Sequence, residues 1–120
     1  MQYDIIEDIQ TWNDDRGNYE YNNRLEYDML QEEVDEYFEA CMNEDTVDQA
    51  DALADIIVVA VGSLYKLCGN DKIKFEDIML AVTAANNTKG KEKNTEGKIT
   101  KPKDFVGPED MIAKVLFYEN

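Results

Sequence analysis

Histidine is missing altogether from this 120-residue chain, and its first 65 residues carry only two positive charges, Arg16 and Arg24, against 18 Asp and Glu. The first absence removes the commonest general base and metal ligand, and with it the Glu-x-x-His pattern on which helical di-iron bundles are built. The second leaves the acidic half with almost no cations of its own. Cysteine occurs only at Cys41 and Cys68, on otherwise apolar helical faces, so both are expected as buried free thiols in a reducing compartment. No apolar run is long enough to cross a bilayer; the best, Ala52 to Val61, is interrupted by Asp55. The start Met1-Gln2-Tyr3-Asp4 lacks the basic residues and apolar core of a secretory leader, so a soluble, cytoplasmic protein is expected.

The charge that is present is unevenly placed. Residues 66–120 hold 9 acids against 10 lysines, so a half at net −16 precedes one at net +1. Six of the lysines fall between Lys89 and Lys103. An acidic body with one short basic segment argues against a nucleic-acid polymer or an anionic membrane as partner, because both require broad positive faces. It suits a metal site beside a small phosphate clamp. At this length a single domain over residues 1–120 is expected, with a core of its own and room for oligomerisation to add burial.

The periodicity is helical throughout. Ile5, Ile6, Ile9 and Trp12 predict a first helix over residues 2–13, with Trp12 expected in the core. A second helix is predicted from Asn22 to Met42, with Leu30, Val34, Tyr37, Phe38 and Cys41 as its core stripe and Glu33 and Glu36 continuing the adjacent side. Thr46-Val47-Asp48-Gln49 reads as a capping box for a third helix, apolar nearly all round and therefore expected to be the most buried, which stops at Gly69-Asn70. Phe75, Ile78, Met79 and Val82 predict a fourth helix over residues 75–86, and Pro108 opens a short terminal one with Met111, Ile112, Val115 and Leu116 as its apolar side. Residues 87–107 form a lysine-rich surface loop, or one that orders on binding. Short links between helices give an all-α, antiparallel four-helix-type bundle with a short C-terminal helix.

Two acidic clusters sit on the second and third helices: Glu32-Glu33-x-x-Glu36, and Asp51 with Asp55. Asp55 is the one charged residue between Ala52 and Tyr65, and a carboxylate in such surroundings costs several kcal/mol unless something positive compensates it (~2–7 kcal/mol even for a neutral polar group). A link of a few residues packs the two helices antiparallel, which sets Glu36 level with Asp51 and Glu33 with Asp55 one turn deeper. Four carboxylates converging without a cation repel and take up protons; with Mg2+ they become a coordination shell of hard oxygen ligands.

Leu30-Gln31-Glu32-Glu33-Val34-Asp35-Glu36, followed by Asp51-Ala52-Leu53-Ala54-Asp55-Ile56-Ile57-Val58-Val59-Ala60-Val61-Gly62, resembles the all-α nucleoside triphosphate pyrophosphohydrolases, the MazG-like group that includes the phosphoribosyl-ATP pyrophosphohydrolases and dimeric dUTPases. The likeness continues through Asn86-Asn87-Thr88-Lys89, Glu96-Gly97-Lys98-Ile99-x-Lys101 and Phe105-x-x-Pro108. The resemblance implies Mg2+-dependent cleavage of a nucleoside triphosphate, or a related nucleotide, between its α and β phosphates, with Mn2+ as a substitute metal. It implies Glu33, Glu36 and Asp55 as metal ligands and Glu32 as the residue that orients or deprotonates the attacking water. Many members have Glu-x-x-Asp in the second cluster, where this chain has Ala52-x-x-Asp55, so the remaining ligand falls to Asp51. Asn86, Lys89, Lys98 and Lys101 resemble the family's phosphate or sugar contacts, and the family implies a homodimer or homotetramer. The competing reading is a non-enzymatic acidic helical protein that mimics DNA or engages a basic partner; its binding would be metal-independent and lost at high salt.

Overall fold

Side-chain oxygens set the start of every helix in the N-terminal half. In the computed structural model, which describes residues 4–118, Asp4 caps α1 (Ile5–Asp15), Asn22 caps α2 (Asn23–Met42) and Asp45 caps α3 (Thr46–Leu67), each accepting from a backbone N–H three residues on. Each cap satisfies one of the donors that a helix start leaves without an intrahelical partner. The cap of α3 therefore falls one residue ahead of the expected Thr46, on a carboxylate that also complements the positive end of the helix. Residues 2 and 3 of the expected first helix lie outside the described residues, and α1 runs on to Asp15.

The helix ends are equally local. After α2, Glu44 takes a left-handed conformation (φ 52°) so that its N–H reaches Cys41 O while Asp45 N–H reaches Ala40 O. After α3, Gly69 (φ 66°) donates to Lys66 O and Asn70 to Tyr65 O. Both are Schellman closures, and Gly69 supplies the conformation without a Cβ penalty. The resulting three-residue link between α2 and α3 returns the chain antiparallel to itself. Two further helices follow, α4 (Lys72–Asn87) and α5 (Glu109–Phe117). The expected start of α4 at Phe75 marked its first buried side chain; the helix itself takes in the turn before it. Among the described residues there are five helices and no strand, so the fold is all-α.

The chain divides into two compact units, one ending at Asp71 and the other beginning at Lys72. In the first, α2 packs along α3 and α1 packs on α3; in the second, α4 packs with α5. Polar contacts seat α1: Tyr65 Oη donates to Asp14 Oδ2 at 2.8 Å, and Asn70 Nδ2 donates to Asp14 Oδ1 and Asn18 O. Gly62 admits the buried Asn13 side chain, whose Nδ2 lies 3.2 Å from where a Cβ would stand. Burial and the Asp14 carboxylate beside it push the Tyr65 phenol well above its ordinary pKa.

Burial corrects several sequence expectations. Ala52, Val61 and Tyr65 of α3 are buried, but Leu53, Ile57 and Val58 are exposed, so α3 is not covered all round. On α2, Leu30, Val34 and Phe38 (65% exposed) face outward, while Tyr37 and Cys41 are half-buried. Met79 of α4 and Met111 of α5 are exposed, whereas Phe75, Ile78 and Val115 are buried. Trp12 is 50% exposed, and the Arg16 guanidinium stacks 4.2 Å from its ring centre. Periodicity registers how apolar a face is, not whether the same chain supplies what covers it. No disulfide joins the cysteines, Cys68 being buried and Cys41 half-buried.

Candidate metal centre

The antiparallel pairing of α2 and α3 brings the two acidic clusters together. Glu33 and Glu36, one turn apart on α2, meet Asp55 of α3, with one carboxylate oxygen from each lying within 4.8 Å of the others. Glu33 and Asp55 are half-buried and Glu36 is exposed, so the group opens to solvent on one side. Glu33 Oε2 is buried and accepts no hydrogen bond. A buried oxygen lone pair without a donor is costly. Burial first, then the charges of Glu36 and Asp55, a hydrogen bond with Glu36 and the charge of Glu32, hold the Glu33 carboxyl above its ordinary pKa.

This geometry fits a hard divalent cation. The donors are all carboxylate oxygens, they converge from two rigid helices, and the oxygen left without a partner belongs to the most enclosed of them. The cluster also has a cost in the absence of a cation. A carboxyl whose folded pKa is raised contributes stability below its unfolded pKa, and that contribution is lost as pH rises through the folded value. Glu33→Gln is therefore expected to raise the thermal midpoint of the metal-free protein at pH 7, read by calorimetry in EDTA.

Asp51 and Glu32 stand beside this group and not within it. Asp51 is exposed and lines an adjoining open cleft of about 270 Å³ with Glu36, Glu39, Ala40, Asn43, Asp48 and Ala52, so Glu36 is common to the cluster and the cleft. Glu32 is exposed on the neighbouring flank of α2, close enough to raise the Glu33 pKa.

In the second unit, residues 88–108 are ordered locally. Thr100 N donates to Glu92 O, Asn94 N to Lys98 O, and Lys93 bridges Ile99 antiparallel, making a small hairpin. Asn94 Oδ1 accepts from the backbone N–H of both Glu96 and Lys98, and Gly97 (φ 91°) closes the turn with its N–H on Asn94 O. The segment expected as a surface loop, or one that orders on binding, is thus a loop held by a short hairpin; Asn94 and Gly97, at the first and fourth turn positions, were the legible signal. Lys89 and Lys101 both approach the Phe105 ring, their Nζ atoms 5.3 and 5.4 Å from its centre. Asn86 is exposed at the end of α4, and Lys98 is exposed on the hairpin.

One cation was overlooked in the sequence because it lies eleven residues from Asp55. Lys66 forms a buried ion pair with Glu26 in the α2–α3 seam. It compensates Glu26, not Asp55.

The fold and donor set together define an all-α protein with a carboxylate-only centre suited to a hard divalent cation. Residues 6–86 match the phosphoribosyl-ATP pyrophosphohydrolase family, and the chain belongs to that family. The family is one of nucleotide pyrophosphohydrolases within the MazG-like all-α superfamily and is typically divalent-metal dependent. The match takes in both acidic clusters and ends at Asn86, before the lysine-rich hairpin. No curated protein and no solved structure matches the chain. No single helix among the described residues is long and apolar enough to cross a membrane.

Proposed function

We propose that this protein is a Mg2+-dependent pyrophosphohydrolase that cleaves a nucleoside triphosphate, or a related nucleotide, between its α and β phosphates, releasing a monophosphate and pyrophosphate. The observation that carries the reading is the unpartnered, buried oxygen of Glu33 inside a three-carboxylate group whose donors suit magnesium, with Mn2+ as a substitute. Glu33, Glu36 and Asp55 hold the cation, and Asp51 is the fourth ligand, facing the cleft it shares with Glu36. Bound magnesium supplies positive charge against the phosphate oxygens and makes water easier to deprotonate. Glu32 orients the attacking water and accepts its proton as the α–β anhydride bond breaks and pyrophosphate leaves. Asn86, Lys89, Lys98 and Lys101 contact the nucleotide, the lysines as point charges for phosphate.

A panel of nucleotides assayed for pyrophosphate release tests this directly. Release is expected with Mg2+ or Mn2+ and none in EDTA; metal-independent release, or none from any nucleotide, contradicts it. Phe105 holds Lys89 and Lys101 at its ring, and a cation on an exposed ring gains about 0.5–1 kcal/mol. Phe105→Ala should therefore raise KM by ~2–5-fold while kcat stays within about two-fold, as loss of uniform substrate binding requires.

We also propose that the working form is a cytoplasmic homodimer or homotetramer. Phe38, Leu53, Ile57 and Val58 each expose an apolar side chain on the two helices that carry the acids, surface that a second copy would cover. Ile57→Glu places a charge on that surface and is expected to lower the mass measured by sedimentation to that of the monomer. An unchanged assembly would move the interface elsewhere.

A further inference from the structure

Further along the α2–α3 seam from the carboxylate group, Glu26 and Lys66 form a buried ion pair, 4% and 9% exposed. Glu26 Oε1 takes Lys66 Nζ and the Ser63 hydroxyl (3.1 Å), and Oε2 accepts the Asn22 N–H at 3.1 Å. The single carboxylate is thereby tied to the start of its own helix and to two positions one turn apart on α3. A buried ion pair is poor evidence of added stability, since an apolar pair of similar volume commonly holds two helices as well or better. What it adds is direction. A slide of one turn, ~5.4 Å, would take both α3 donors away from Glu26 and leave two charges buried alone.

The seam needs such a constraint. Between Asp55 and Ser63, α3 reads Ile56-Ile57-Val58-Val59-Ala60-Val61-Gly62, a stretch with no charged or hydrogen-bonding side chain, so apolar packing alone discriminates weakly there between neighbouring registers. From the Glu26–Ser63 contact to the Glu33–Asp55 contact is seven residues along α2 and eight back along α3, axial rises of ~10.5 and ~12 Å. One register satisfies both. We infer that Glu26, Lys66 and Ser63 are positioning residues for the metal centre: their buried polar link fixes how α2 lies along α3 and so brings Glu33 and Glu36 within reach of Asp55. The inference rests on the metal reading above.

Calorimetric titration of this chain with Mn2+, beside its thermal midpoint, tests it. The double variant Glu26→Met/Lys66→Met is expected to fold with a midpoint at or above that of the wild type and to bind Mn2+ ~10-fold or more weakly. Ser63→Ala, which removes one hydroxyl, is expected to weaken Mn2+ binding ~3-fold, and Ser63→Thr, which keeps it, to bind as the wild type does. Wild-type affinity in the folded double variant overturns the inference. If that variant does not fold, wild-type affinity in Ser63→Ala overturns it instead. A wild-type chain that takes up no Mn2+ overturns the metal reading and this inference with it, whereas strong binding unaffected by these substitutions overturns the positioning role alone.

Discussion

Glu36→Gln is expected to lower metal-dependent pyrophosphate release by ~10³-fold or more, about 4 kcal/mol in barrier height, with the helical circular dichroism of the wild type retained. Glu36 is the one acid common to the three-carboxylate group and the adjoining cleft. Glutamine keeps the side chain's length and one oxygen but removes its charge, so a cation held here loses a strong ligand. Because Glu36 is exposed and takes part in neither ion pair seen among the described residues, folding has little to lose. Glu39 provides the control. It lines the same cleft but stands outside the cluster, so Glu39→Gln is expected to leave turnover within a few-fold of the wild type. Equal losses from the two substitutions would mean that general negative charge matters and the cluster does not.

Lys66→Met alone is expected to destabilise the protein by about 3–5 kcal/mol, a large part of the ~5–15 kcal/mol that holds a typical domain together. The loss follows from leaving the Glu26 carboxylate buried without its cation. In the intact protein, burial tends to raise the Glu26 pKa, but Lys66, the Asn22 N–H and the Ser63 hydroxyl outweigh it and hold the carboxyl below its ordinary value of 4.5. A carboxyl lowered on folding contributes stability that is present above its unfolded pKa and is lost as pH falls through its folded value. Wild-type stability should therefore fall with acidification below about pH 4.5 through this group. Without Lys66 only the Asn22 N–H and the Ser63 hydroxyl oppose the burial penalty, and the folded pKa rises. The sign then reverses for this residue, and the variant should gain stability as Glu26 is protonated. Urea unfolding between about pH 3 and 7 reads the two slopes.

The parts of this molecule that were legible in its sequence are those fixed by local chemistry or by helical spacing. Gly69-Asn70 marked the end of α3 because few residues tolerate the left-handed turn there. The spacing of Glu33, Glu36 and Asp55, with a link too short for anything but an antiparallel return, was enough to predict their meeting. Asp51 was placed at the right height yet stands at the cleft, since i, i+4 spacing sets a helix face but not the reach of a side chain. The start of α3 was misread by one residue because Thr46 and Asp45 are both good caps and only backbone geometry decides between them. Lys66 was missed for a different reason: its partner lies 40 positions away, and a lone lysine near the end of an apolar helix looks like a solvated terminus. The outward-facing Phe38 and Ile57 were read as core because an apolar stripe looks the same whether its cover is intramolecular or comes from another copy.

Crystals grown with Mn2+ and measured at its absorption edge test the central claim most directly. An anomalous peak is expected in the α2–α3 seam within coordinating distance of oxygens from Glu33, Glu36 and Asp55, with Glu33 Oε2 among them. A seam without such a peak at saturating Mn2+, its three carboxylates turned apart toward solvent, would contradict it.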